Sequence, residues 1–321
     1  MKKLTPHMVA FLAITTLATT GCANRLGSAT VTVRVVDENG QPINGAWADF
    51  YHLNSMSSNP GFTDVNGLYS TRLENIFANI SGHFTKLGYY NSNGKFWSWA
   101  DSAGKELVPP ANTNFVVVLK RIIEPVQMKK REITVYAPCL GEPVGFDFEI
   151  GDLVFPAGKG KHADIQFTTR RDYIADNDLT SYVTVEFLGE HDGIQSFSFP
   201  DDRDPLKSDL IPPPIAPESG YEKTLERFSK CTPPNKWTSS YVKDRKWIFR
   251  TRTVVNDDGK IVAANYGWTS TEIRVTAKPE TNDEVLGITF TYYYNPDLHS
   301  RSLEPKEIAD RQAKNLPKGE D

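Results

Sequence analysis

Residues 29–40 read Ala29-Thr30-Val31-Thr32-Val33-Arg34-Val35-Val36-Asp37-Glu38-Asn39-Gly40. Successive side chains of a strand alternate between its faces, so Val31, Val33 and Val35 fall on one face and Thr30, Thr32 and Arg34 on the other. The stretch predicts a half-buried strand. Asn39-Gly40 then tolerates the positive φ values of a tight turn, and a second strand follows from Ala46 to Tyr51. Downstream, Thr63-Asp64-Val65-Asn66-Gly67-Leu68-Tyr69 repeats the Asn-Gly signal. A strand-like stretch at 76–80, the segment Lys86-Leu87-Gly88-Tyr89-Tyr90 and an apolar strand from Phe115 to Leu119 complete the set. Short strands with glycine-rich turns predict an immunoglobulin-like sandwich over residues 29–123.

Three of these segments resemble a known family. Val33 to Trp47 (VRVVDENGQPINGAW), residues 63–69 and the Lys-Leu-Gly-Tyr at 86–89 are similar to the carboxypeptidase regulatory-like, transthyretin-like domains of bacterial exported proteins. The resemblance covers less than a third of the chain. It implies a β-sandwich serving as an accessory module, and it implies no activity, because its motifs are turn and strand chemistry. The stretch from Tyr90 to Asn114, which contains Phe96, Trp97 and Trp99, is longer than a simple sandwich needs.

A boundary is expected near Glu124-Pro125. Beyond it, strand-like runs recur at 132–136, 146–150, 153–155, 162–168, 182–188, 194–199, 247–255, 261–264, 272–275 and 286–294. Residues 124–298 therefore read as a second β-rich domain with little helix. Residues 201–217 are polar and proline-rich, and Pro212-Pro213-Pro214 predicts an extended surface loop, since proline cannot donate to a central ladder. Tyr221, Leu225 and Phe228 recur at helical spacing and predict a short helix. Residues 299–321 form a polar tail, expected to be mobile, with a helical turn or two starting around Pro305.

At the other end, Lys2 and Lys3 precede an apolar stretch from Met8 to Leu17 and small residues up to Cys22. That order is the one a signal peptide needs, and the apolar stretch falls short of the ~20 residues that span a bilayer. Leu17 to Cys22 resembles the lipobox of bacterial lipoproteins, with Thr19 where an aliphatic residue is usual. The resemblance implies cleavage after residue 21, lipidation of Cys22, a linker at 22–28 and attachment to the envelope membrane. Ala23 after the cysteine implies the outer membrane in a two-membrane bacterium. One acyl chain holds only marginally, at about 0.8 kcal/mol per buried methylene, so several chains are what make such an anchor durable.

The mature chain has 34 Lys and Arg against 40 Asp and Glu. This mild acidity argues against a nucleic-acid partner, whose phosphates call for clustered basic side chains. Lys129-Lys130-Arg131 reads as a solvated strand edge. In an oxidising compartment the remaining Cys139 and Cys231 are either paired or separately held; pairing is the expectation, worth roughly 4 kcal/mol in the chain-entropy model.

Chemical motifs are sparse. The histidines of the mature chain, His52, His83, His162, His191 and His299, show no metal-ligand spacing. His162 and Asp164 alternate with Ala163, Ile165 and Phe167, so they are placed on a polar strand face. Asp176-Asn177-Asp178 begins like a calcium loop, but Ser181 stands where the loop requires Gly and Phe187 where it requires Glu. Asp201-Asp202-Arg203-Asp204 reads as a charged loop, and Gly158-Lys159-Gly160-Lys161 as a hairpin tip. There is no Gly-x-Ser-x-Gly elbow. No cofactor or metal is expected, and no catalytic residue is nominated. Trp47, Tyr51, Phe96, Trp97, Trp99 and Tyr292-Tyr293-Tyr294 either fill cores or stack on a ligand.

These readings predict an envelope-anchored, non-enzymatic lipoprotein that binds a protein partner or a glycan, with Phe96, Trp97 and Trp99 as candidate ligand-binding aromatics. The competing reading is a glycan-directed envelope hydrolase built from carboxylates dispersed over the second domain.

Overall fold

The valines of the opening stretch form a strand. The computed structural model describes residues 27–52, 58–76, 80–97, 112–198, 208–242, 245–276 and 285–314. In it β1 (Gly27–Val36) buries Val31, Val33 and Val35 completely and leaves Arg34 exposed. The other strands of this region are β2 (Trp47–His52), β3 (Ser58–Phe62), β4 (Leu68–Ile76), β5 (Ile80–Thr85), β6 (Ser92–Trp97) and β7 (Asn112–Val118). They make two sheets, ordered β4-β1-β7 and β3-β2-β5-β6, with β1 and β7 parallel. Val33, Ala48, Phe50, Leu73, Phe84 and Val117 fill the space between the sheets. The mainly β architecture and its N-terminal sandwich are as the sequence predicts.

Two details differ from the reading. The Asn39-Gly40 turn closes only a short reversal, in which Val36 bridges Pro42 and Asp37 N donates to Gln41 O, and β2 then joins the other sheet instead of pairing with β1. Of the stretch at 76–80, Ile76 ends β4 and Ile80 starts β5, strands of different sheets, and 77–79 lie outside the described residues. Both Asn-Gly turns are built by an aspartate two residues earlier. Asp37 Oδ1 accepts from the Asn39 and Gln41 amides, and Asp64 Oδ1 from those of Asn66 and Leu68. Gly67 is required twice over: its φ is +73°, and a Cβ there would overlap the Val35 carbonyl oxygen.

The second region is also a sandwich, of β8 (Lys129–Ala137), β9 (Val144–Asp147), β10 (Asp152–Leu153), β11 (Ile165–Ala175), β12 (Asp178–Phe187), β13 (Gly193–Ser198), β14 (Thr224–Thr232), β15 (Lys236–Ser239), β16 (Arg245–Val255), β17 (Ile261–Thr269), β18 (Arg274–Val275) and β19 (Leu286–Asn295). One sheet is ordered β10-β9-β11-β12-β14-β15. In the other, ordered β13-β16-β17-β19-β18, β8 runs along the far side of β19. All these pairings are antiparallel. Aromatic side chains interlock between the sheets, with Phe148 stacked on Phe249 at 4.2 Å and both packed against Tyr292. Tyr292 and Tyr294 belong to this core, so they are not ligand-stacking residues.

The outer face of the second sheet is covered too, by chain that the sequence reading left on the surface. Trp268 stacks on Tyr293 at 4.5 Å, and Ile211, Ala216, Tyr221, Met128 and Leu303 close over them and over Ile248 and Ala264. The proline-rich segment is thus a packed strap. Lys120, whose ammonium burial pushes down to about 8, donates to the carbonyls of Leu210, Ile211 and Pro212 at 2.8, 3.1 and 2.9 Å. An extended segment without internal ladder bonds needs such external donors.

The tail is likewise pinned. Leu303 N donates to Pro214 O, and the buried Glu304 carboxylate accepts from the Ile123 and Glu124 amides. α1 (Lys306–Lys314) then brings Gln312 onto the Asn91 amide and Asp209. The linker between the sandwiches (residues 119–128), the strap and the tail together braid the two. The helix predicted around Tyr221 to Phe228 is instead the start of β14. Tyr221 packs with the strap, Leu225 points to the inner core and Phe228 to the outer face beside Tyr182, so the spacing was not one helical stripe.

The expected Cys139–Cys231 bridge is absent: both thiols are free, Cys139 exposed and Cys231 buried. The loop carrying Cys139 bonds to the edge of β11 through Gly141 N and Thr169 O, and β12 stands between β11 and β14, which carries Cys231. Two strand spacings are roughly 10 Å, beyond the ~7 Å Cα separation a disulfide tolerates.

Candidate functional site

Two buried ionic clusters bracket the core of the second sandwich, and both begin in strand sequence. In β16 the register slips between Thr251 and Val254, and Arg252 takes a left-handed φ of 54°. Such a bulge re-aims a side chain at a cost of about 1–3 kcal/mol. Here it turns the guanidinium toward the opposite sheet. Arg252 donates through Nε to Asp164 (2.8 Å), through Nη1 to Glu149 (2.7 Å) and through Nη2 to Asp147 (3.1 Å). Asp147 also accepts from the Glu149, Ile150, Lys161 and His162 amides. The Gly158–Lys161 loop is therefore a cradle already filled by the protein's own carboxylate.

The charges in this cluster are perturbed in opposite senses. Burial opposes ionisation of Asp147, but the amides and Arg252 prevail and hold it below the usual carboxylate range. Hydrogen bonds from Arg252 and Lys129 lower Glu149. Burial dominates at Asp164 and raises it, despite Arg252. Asp164 precedes β11 and is buried, so it is not on the solvated face assigned to it. The alternation starts at Ile165, one residue later.

The second cluster forms around Glu272, whose side chain is 0 % exposed. It accepts from Arg227 Nη2 at 2.8 Å, from Trp247 Nε1 at 2.8 Å and from Arg245 Nε at 3.5 Å. The Arg227 and Arg245 guanidinium groups also lie over the Trp247 ring, at 5.7 and 5.1 Å, and both donate to Ser240 O. Arg227, Ser229 and Ser239 share the inner face of the first sheet, because Ser229 and Ser239 are register partners and Arg227 is two residues from Ser229.

A groove of about 240 Å³ opens here, between the β14–β15 edge of one sheet and β18 of the other. Arg227, Ser229, Ser239, Ser240, Tyr241 and Arg274 line it. At the mouth the Arg274 guanidinium sits 4.7 Å from the centre of the Tyr241 ring. Trp237 and Tyr241 are 48 % and 41 % exposed, large apolar surface for an edge. On the outer face of the same sheet, Arg170 covers Tyr182 at 4.1 Å, and Tyr182 adjoins Phe228.

The residues nominated from sequence lie elsewhere. Phe96 and Trp97 fall on β6, while Trp99, Cys22 and the acidic run at 201–204 lie outside the described residues. Trp47 packs edge-on against Phe62 at 5.0 Å. Asp176 and Asn177 form the two-residue tip of the β11–β12 hairpin. Lys129 and Lys130, on β8, pair with Glu149 and Glu132. Arg227, Arg245, Arg274, Glu272 and Tyr241 were missed. One signal was present: Leu225, Arg227, Ser229 and Cys231 have the same parity, and an arginine at an inward position requires a buried partner. Among the described residues no group of His, Cys, Asp and Glu could hold a metal ion, and no helix is long and apolar enough to cross a membrane.

No family model matches the chain, and no curated protein does. Solved structures match it only distantly. A DUF3823 family protein from Parabacteroides merdae is 9 % identical, with a TM-score of 0.21 over 86 % of this chain and 98 % of that one. A variant of BcpA, the major pilin subunit of Bacillus cereus, is 9 % identical, with a TM-score of 0.22 over 87 % and 70 %. The 3-chlorocatechol 1,2-dioxygenase of Rhodococcus opacus is 14 % identical, with a TM-score of 0.24 over 29 % of this chain and 60 % of that one. At these scores none of them carries an argument about activity.

Proposed function

We propose that the protein is a non-enzymatic binding module of a bacterial cell envelope, lipid-anchored through Cys22, that engages a glycan or a protein partner. The observation that supports it is the groove between β15 and β18, which brings the accessible Arg274 of β18 against the Tyr241 ring of the segment that follows β15. Arg, Trp and Tyr are the residues most enriched at binding hot spots. The neighbouring buried charges are already committed to clamps between the sheets. In this reading the first sandwich is the accessory, carboxypeptidase regulatory-like module that carries the second away from the membrane, and the braid of linker, strap and tail keeps the two in register.

Two measurements test it. Cys22→Ser is expected to move the protein from the membrane to the soluble fraction of cells, and continued membrane association would refute the anchor. The soluble Cys22→Ser form is expected to be retained on purified envelope material and on individual spots of a glycan array. Absence of retention on both would refute the binding role. In the same assay Tyr241→Ala tests the groove, and the Trp97→Ala/Trp99→Ala pair tests the aromatics nominated from sequence.

A further inference from the structure

Among the described residues, the charged side chains that line the groove are Arg227 and Arg274, while Glu272 pairs with Arg227 and with the neighbouring Arg245. Glu132 lines the adjoining groove with Arg274 but is largely exposed and paired with Lys130 at 3.1 Å. Arg227, with a side chain 5 % exposed, also keeps a buried Nε that has no hydrogen-bond partner among the described residues. A buried donor without an acceptor costs about 1–3 kcal/mol, and the deficit is one that an anionic oxygen would relieve.

Resting on the binding-module reading, we propose that this groove is a binding site for the carboxylate-bearing ring of an acidic glycan. Carboxylates match the planar guanidinium fork in geometry and charge. The partly exposed Tyr241 ring at the mouth offers a face on which the apolar side of a sugar ring stacks. The serine hydroxyls of Ser229 and Ser239 face the same space as donors and acceptors for ring hydroxyls. The volume of about 240 Å³ lies below the roughly 300–1,000 Å³ of drug-sized sites, which suits a single ring. A peptide held by strand addition would instead need a long ladder edge, and β15 has four residues and β18 two.

Calorimetric titration of the full mature chain with glucuronic acid, glucose and a hexaglutamate peptide tests the assignment. Glucuronic acid is expected to bind at least about tenfold more tightly than glucose, and more weakly as salt is raised. Arg274→Gln, a change at an exposed side chain, is expected to weaken glucuronic acid about tenfold without moving the melting temperature. Equal binding of the two sugars, undiminished binding by Arg274→Gln, or binding of hexaglutamate in place of the sugar would overturn it. If none of the three binds while the chain is still held on envelope material, this inference falls and the binding-module reading stands. If envelope retention fails as well, both fall.

Discussion

Arg252 on β16 donates to Asp164, 88 residues earlier in the chain, at 2.8 Å across the two sheets of the second sandwich, from a backbone held at φ 54°. A left-handed arginine is tolerated there because its three carboxylate partners fix the side chain that the bulge presents.

Removing the arginine leaves Asp164 buried without its cation. Breaking a buried pair from one side costs about 3–5 kcal/mol, whereas replacing both members by apolar residues is often neutral. Arg252→Met is therefore expected to lower the urea-unfolding free energy by about 3 kcal/mol or more, with Asp164→Leu in the same chain recovering part of the loss. Unchanged stability in the single variant would remove the clamp from the account.

The acid limb of stability depends on Asp147. Its folded pKa lies below the ordinary carboxylate value, so its contribution is complete above about pH 4, the unfolded range, and disappears as pH falls through the folded value. Asp164 and Glu304, raised by burial, act in the opposite sense and soften the loss. Asp147→Asn is expected to lower the melting temperature at pH 6, and the gap to wild type is expected to hold to about pH 4 and close below it. A gap of constant size from pH 6 to pH 2.5 would contradict this.

Lys120 supplies three hydrogen bonds to a strap that makes no ladder of its own. In Lys120→Met the amides of Leu210, Ile211, Ile215 and Ala216 are expected to exchange with deuterium at least about tenfold faster, while those of β1 and β19 keep their protection. Equal protection throughout would mean that the strap is held without Lys120, by its packing and its bonds to the tail.

The thiols should also differ in reactivity. Exposed Cys139 is expected to react with a thiol reagent in the folded protein, and buried Cys231 only after unfolding. Two equivalents released at once under native conditions would show the sheet around Cys231 to be open.

The strands of both sandwiches were largely legible because period-two patterns such as Val31-Val33-Val35 report burial locally. The clamps and the groove were not. Arg227 finds Glu272 45 residues away, and no local pattern encodes that meeting. Parity could have flagged Arg227, but Tyr221, Leu225 and Phe228 mimic a helical stripe and hid the strand it lies on. The strap was misjudged because proline was read for the ladder bonds it cannot make; Pro212 contributes its carbonyl to Lys120 instead. β6 fell inside a stretch read as an insertion.

The parallel pairing of β1 with β7 has a mechanical consequence. Residues 30–36 lie against 112–118 in matching direction, and the chain leaves the far end of β7 toward the second sandwich. Tension between the N-terminal side of β1 and that sandwich slides the two strands past each other, loading every rung of the ladder in shear at once. A hairpin pulled open from its ends would instead tear rung by rung.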